Sequence, residues 1–111
     1  MGVSISANVP RGSLEVRRFL ELMHGCQAIR RLGSAALSLC YVACGRLDGY
    51  FGSGVKSWDI AAGAIDLQEA GGVLTSADGK AFRLDGSELL STATEKLHGE
   101  TMAAFAIAEG R

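Results

Sequence analysis

The sequence predicts an α/β fold, a layered α/β sandwich in which a small mixed sheet is flanked by helices. Segments with apolar residues at helical spacing alternate along the chain with short segments that are rich in aromatic or aliphatic residues. Glycine accounts for 15 of the 111 residues and separates most of these segments. A chain of this length, with 48% hydrophobic residues, can form one domain with a modest core.

The first predicted helix follows an extended lead-in segment over residues 1–12, which contains the only proline, Pro10. Ser13 is a suitable N-cap because its hydroxyl can accept a hydrogen bond from a free amide of the first turn. Apolar residues then recur at helical spacing as far as Gly25, where the helix is expected to end.

The next segments predict a short strand over 27–32 and a second helix capped by Ser34 and ended by Gly45. A strand is expected over 47–51, with a loop over 52–54 after it. The remaining predicted elements are, in order, a helix from Ser57 to about Ala70, a strand over 73–75, a turn at Asp78-Gly79, a strand over 88–94 and a helix over 95–108.

Composition argues against several classes of partner. Eleven basic and twelve acidic residues nearly cancel, so neither a nucleic acid nor a charged membrane surface is expected to bind. The longest mostly apolar run, Ala35 to Cys44, is shorter than the roughly 20 residues that span a bilayer. Three cysteines do not make a disulfide framework, which favours reduced thiols in a cytoplasmic protein.

Asp59 is the candidate chemical residue of the third helix. A carboxylate in the first helical turn is stabilised by the free amides and the helix dipole, so Asp59 could simply help to begin the helix. It could also bind a metal ion. Asp66 lies on roughly the same face but about 10 Å along the helix, too far to share one ion with Asp59. Asp66 and Glu69 are therefore expected to be solvated or paired.

The residues around Asp59 resemble a signature of the inositol monophosphatase family. The pattern is Trp58-Asp59-x-Ala61-Ala62-Gly63 followed by Glu69-Ala70-Gly71-Gly72, and two upstream segments, 29–36 and 45–51, also resemble family segments. The similarity covers about residues 14–110. It implies that residues 13–111 form a domain resembling the C-terminal domain of the sugar phosphatase fold.

The resemblance also implies a function and a site. The family's activity is Mg²⁺-dependent hydrolysis of a small phosphomonoester such as inositol phosphate, often by a homodimer. Asp59 resembles the family aspartate that binds a metal ion and meets the inositol ring. Gly33, Ser34 and Ala35 match the segment that contacts the inositol hydroxyls, although capping of the second helix alone would also explain Gly33 and Ser34.

Two departures from the family pattern limit what is expected of the chain. Gly52 stands where many members carry a glutamate that hydrogen-bonds inositol. The family's first signature, with its Glu-Glu pair and Asp-Pro-x-Asp-Gly-Thr core, does not occur. The N-terminal metal-binding domain is therefore expected to be absent and the chain to be truncated and inactive alone. A non-catalytic binding or dimerisation module, and a sibling phosphatase acting on another sugar or nucleotide phosphate, remain alternatives.

Overall fold

The computed structural model describes residues 1–4, 11–25, 28–31, 34–53, 57–82 and 88–110; the side chains of Ala36, Ser57, Trp58, Asp59 and Ala62 lie outside this description. The described residues form strands and helices in a mixed order. They are, along the chain, β1 (Gly2–Ser4), α1 (Leu14–Gly25), α2 (Ala35–Ala43), β2 (Gly49–Ser53), α3 (Ser57–Glu69), β3 (Val73–Thr75), β4 (Glu88–Thr92) and α4 (Glu95–Ala108).

The strands form one mixed sheet in the order β1-β2-β4-β3. β1 runs parallel to β2, while β4 pairs antiparallel with both β2 and β3. The predicted mixed sheet is confirmed, and the lead-in segment contributes β1 to its edge. In the β2–β4 ladder Gly49, at the beginning of β2, is opposite Thr92, and Ser53, at its end, is opposite Glu88.

Helices cover both faces of the sheet. Successive strand residues point to opposite faces, so Tyr50 and Leu89 pack against α2 and α3, whereas Phe51 and Leu90 pack against α1 and α4. The three layers confirm the predicted sandwich. The buried residues of the two cores are Ala35, Leu39, Val42, Tyr50, Ile60, Leu67 and Leu89 on one face, and Met1, Val3, Leu22, Phe51, Ala77, Leu90 and Phe105 on the other.

Several helix ends lie where the sequence predicts them. The Ser34 hydroxyl accepts a hydrogen bond from the Leu37 amide at 3.1 Å, and the Ser13 hydroxyl accepts one from the Val16 amide at 3.4 Å. Gly45 follows α2 with a φ of 84°, a left-handed conformation that favours glycine. The Asp78-Gly79 turn is also confirmed, because the Lys80 amide donates to Asp78 Oδ1 at 3.0 Å. The predicted capping role of Ser57 lies outside the described side chains.

Three sequence-based expectations about strands are wrong. Within 28–31 only Arg30 makes a β-bridge, with Gly2, so the strand predicted over 27–32 does not form there. Gly52 and Ser53 were expected in a loop but belong to β2, because backbone pairing with β4 does not need a side chain. The last strand ends at Thr92, since Thr94 is the N-cap of α4 and accepts from the Leu97 amide at 3.2 Å.

Candidate functional site

α2 and α3 pack side by side on one face of the sheet and point in the same direction. A small cavity of about 120 Å³ adjoins the C-terminal ends of both helices together with Ala93. The Ala93 amide donates to the Asp48 carbonyl at 2.8 Å, which places this cavity beside the beginning of β2. The residues that line it are Val42, Ala43, Gly45, Leu67, Ala70, Gly72 and Ala93.

The N-termini of α2 and α3 therefore lie at the other end of the sheet, near Ser53, where β2 ends. An α-helix rises 1.5 Å per residue, so helices of nine and thirteen residues reach about 13 and 20 Å from the cavity. Open α/β sheets bind ligands at the carboxyl ends of their strands. Two parallel helices also direct their free amides and the positive ends of their dipoles to this same region.

Ser34 and Ala35 lie at this candidate site. The Ser34 hydroxyl is the N-cap of α2, and the backbone carbonyl of Ser34 accepts a hydrogen bond from Ser38 Oγ at 2.8 Å. Because the hydroxyl accepts in the cap, its hydrogen can still be donated to a ligand. Ala35 is buried, so only its backbone can contribute to binding. Gly33, the third predicted substrate-binding residue of this segment, lies outside the described residues.

Asp59 belongs to the first turn of α3, but its side chain lies outside the described part of the structure. Asp66 is further along the same helix and is exposed. Its carboxylate accepts a hydrogen bond from Cys40 Sγ at 3.8 Å, and burial, followed by the Asp66 charge, raises the pKa of the Cys40 thiol. Asp66 is thus paired with a residue of α2, which is one of the two outcomes expected for it.

The described side chains do not assemble a metal centre. Among them there is no group of three or more histidine, cysteine or acidic residues that could hold an ion. Mg²⁺ takes oxygen ligands in near-octahedral geometry, so a single carboxylate such as Asp59 does not complete a site. Cys40 and Cys44 are free thiols, and Cys26 lies outside the described residues.

Tyr50 occupies the space beside Gly52, a feature that sequence reasoning missed. Both residues are buried in β2 and point to the face covered by α2 and α3. A Cβ atom at position 52 would be 2.8 Å from Tyr50 Oη and 2.9 Å from its ring. The only signal in the sequence is the two-residue spacing of an aromatic residue and a glycine, which gives no reason to expect the ring to lie over the glycine.

Comparison with known proteins agrees with the geometry. The model of the inositol monophosphatase family matches residues 5–109. The chain belongs to the inositol monophosphatase family. Its fold matches the inositol monophosphatase of Anabaena (Nostoc) sp. PCC 7120 with a TM-score of 0.83 and 37% identity, over 96% of this chain and 42% of that one. The extragenic suppressor protein SuhB of Bartonella henselae matches with the same TM-score at 29% identity, over 94% of this chain and 40% of that one.

Curated relatives of this family member carry two different names. The Nus factor SuhB of Pasteurella multocida (strain Pm70) is 51% identical over 72 residues, which are 65% of this chain and 27% of the relative. The inositol-1-monophosphatase of Synechocystis sp. (strain PCC 6803) is 44% identical over 88 residues, 79% of this chain and 30% of the relative. The matched residues therefore span under a third of the length of each of these two relatives.

No helix among the described residues combines the length and the apolar character that crossing a membrane requires.

Proposed function

We propose that the chain is the substrate-facing part of a cytoplasmic, Mg²⁺-dependent phosphomonoester hydrolase that acts on inositol phosphate or a similar small phosphate ester. The observation that carries this proposal is the common direction of α2 and α3, which directs both helix N-termini toward the carboxyl end of β2. Free amides and aligned dipoles favour a phosphate group there. A serine hydroxyl at the same place suits a substrate that carries several hydroxyl groups.

Each predicted site residue has a proposed role. The backbone of Gly33 and Ala35 and the hydroxyl of Ser34 hydrogen-bond the polyol. Asp59, in the first turn of α3, supplies one carboxylate to the metal ion and meets the substrate. Since the described carboxylates do not complete a Mg²⁺ site, these residues bind and orient, and the chain alone is expected to be inactive.

A nuclear magnetic resonance titration tests this proposal. Inositol 1-phosphate added to the purified chain should shift the amide signals of residues 34–37 and 57–60 and leave those at the cavity beside Ala93 unchanged. Mg²⁺ should increase the shifts, and Asp59→Asn should abolish that increase, while Asp66→Asn serves as the matched control on the same helix. Shifts confined to the cavity end, or no shift at all, would refute the proposal.

A hydrolysis assay tests the second part of the proposal. The purified chain should release no more phosphate from inositol 1-phosphate in the presence of Mg²⁺ than the Asp59→Asn variant does. Robust Mg²⁺-dependent release would contradict the inference that these residues do not complete the catalytic site.

A non-catalytic binding role is the second candidate, because a relative that is 51% identical over 72 residues is named a Nus factor. In that case the family's fold serves association with another protein or with a second copy. Size-exclusion chromatography and a pull-down against a full-length relative discriminate the two. A stable mixed complex, together with no response to inositol 1-phosphate, would favour the binding module over the hydrolase.

A further inference from the structure

Arg18 lies in the interior of the α1–α4 layer, although it is charged. Its residue exposure is only 3%. Nη1 donates to Glu88 Oε2 at 2.7 Å, and Nη2 donates to Glu109 Oε1 at 2.6 Å. The guanidinium carbon is also 5.5 Å from the centre of the Phe105 ring. Arg18 of α1 thus connects the first residue of β4 with the residue that follows α4.

Both carboxylates favour the charged form of Arg18. Burial alone lowers the pKa of Arg18, but the hydrogen bonds to Glu109 and Glu88 outweigh it, so the pKa is raised. Glu15 and Glu21 lie one helical turn before and one turn after Arg18 on the same helix and are further acidic groups on this side of α1. A planar guanidinium presents its N–H donors in a rigid fork, so it fixes the positions of two carboxylates more tightly than the compact ammonium group of a lysine.

Glu88 places this ion-pair cluster at the same end of the sheet as the candidate site. It is paired with Ser53, the last residue of β2, and the chain continues from there toward the first turn of α3. Its neighbour Leu89 faces α2 and α3, so Glu88 itself faces the α1–α4 layer. Arg18 therefore holds the carboxyl end of β2 from the face opposite the candidate site.

We infer that Arg18 is a positioning residue for the candidate site, acting through Glu88 on the β2–β4 pairing at Ser53. This inference rests on the proposed function, because the site that Arg18 would position is the ligand site proposed at the N-termini of α2 and α3. Truncating Arg18 leaves the Glu88 and Glu109 charges without compensation, and neutralising Glu88 removes the charged contact between Arg18 and β4 while Glu109 still pairs with Arg18. Loss of either Arg18 or the Glu88 charge should therefore loosen this end of the ladder more than the other end.

Hydrogen exchange measured residue by residue tests the positioning role without reference to activity. In Glu88→Gln, we expect the amides of 52–53 and 88–89 that take part in the ladder to lose about tenfold or more of their protection. The amides of 49–50 and 91–92, at the far end of the same strands, should keep theirs. Glu109→Gln is the matched control, because it removes the other carboxylate of Arg18 and leaves the Arg18–Glu88 pair in place.

Two outcomes would overturn the inference. One is an equal loss of protection at both ends of the ladder in Glu88→Gln, which indicates a general stabilising role. The other is the same local loss in Glu109→Gln, which indicates that Glu88 has no special part. Arg18→Lys should restore some protection relative to Arg18→Met, and if Arg18→Met does not fold, the glutamine variants still decide the question.

The inositol 1-phosphate titration connects the positioning role to the site. Glu88→Gln should weaken the response of residues 34–37 and 57–60 several-fold, whereas Glu109→Gln should not. If the wild-type chain does not respond, the proposed function fails, and the exchange experiment still tests the positioning role by itself. If the wild type responds and Glu88→Gln responds equally, the positioning role is refuted while the proposed function stands.

Discussion

Replacing Gly52 with alanine tests how tightly Tyr50 fills the space beside it. The new methyl group would lie 2.8–3.0 Å from three atoms of a fully buried tyrosine ring. Overpacking of this kind costs about 1–3 kcal/mol. Alanine recovers about 0.5–1 kcal/mol by restricting the unfolded chain. We therefore expect Gly52→Ala to lower the free energy of unfolding by about 1–2 kcal/mol and the Tm by about 4–8 °C.

Gly99→Ala is the matched control, because it adds the same methyl group but is expected to stabilise the protein. Gly99 lies in the interior of α4, is exposed, and has no atom within 4 Å of the position where a Cβ would be. This variant should gain about 0.5–1 kcal/mol from helix propensity. Urea denaturation followed by circular dichroism measures both, and Tyr50→Leu should reduce the cost of the alanine at position 52. Equal stabilisation by both alanines would refute the reasoning.

Three further predictions concern the core, the helix caps and the thiols. Phe105→Leu should lower the free energy of unfolding by about 2 kcal/mol, because Phe105 packs edge-to-face on Phe51 at a centroid distance of 5.1 Å and contacts the Arg18 guanidinium. Phe82→Leu, at a half-buried position in the other core, should lower it less in the same denaturation assay. Ser34→Ala and Thr94→Ala each remove an N-cap, so each should lower the free energy of unfolding measured in urea by about 1 kcal/mol. Only Ser34→Ala should also reduce the chemical-shift response to inositol 1-phosphate. An equal effect of both variants on that response would contradict the proposed site. Iodoacetamide should label the exposed Cys44 faster than Cys40 at neutral pH, because the raised pKa of Cys40 keeps it a thiol until a more alkaline pH. Peptide mass spectrometry measures both labelling rates. Asp66→Asn should accelerate the labelling of Cys40, because it removes the carboxylate charge that helps to raise this pKa.

The features that could be predicted from the sequence are local ones. Ser13 and Ser34 are followed by residues suited to a helix, and their caps need only the amide three residues later. Gly45 ends α2 by its own conformation. The parallel arrangement of α2 and α3 could not be predicted in this way, since it depends on both helices crossing back over the same face of the sheet.

Features that depend on distant partners escaped the sequence. A charged helix residue such as Arg18 is expected to face solvent, but it is buried against two carboxylates. These partners lie 70 and 91 residues further along the chain, so no local pattern indicates them. The short segment Gly2–Ser4 carries no strand pattern of its own and becomes a strand by pairing with β2. For the candidate site, Ser34 caps α2 as predicted and Ala35 is its first residue. The roles of Gly33, Ser34, Ala35 and Asp59 in binding substrate or metal stay predictions.

The parallel pairing of β1 with β2 has a consequence for synthesis on the ribosome. Gly2 pairs with Tyr50, so the edge strand is made roughly 50 residues before its partner, which at about 5–20 residues per second leaves it unpaired for several seconds. Pairs separated by so much chain also close late, after the local helices. Of the strands described here, β1 is thus synthesised before its partner β2 and is expected to dock late, and until then its Val3 side chain is exposed to chaperones and to other nascent chains.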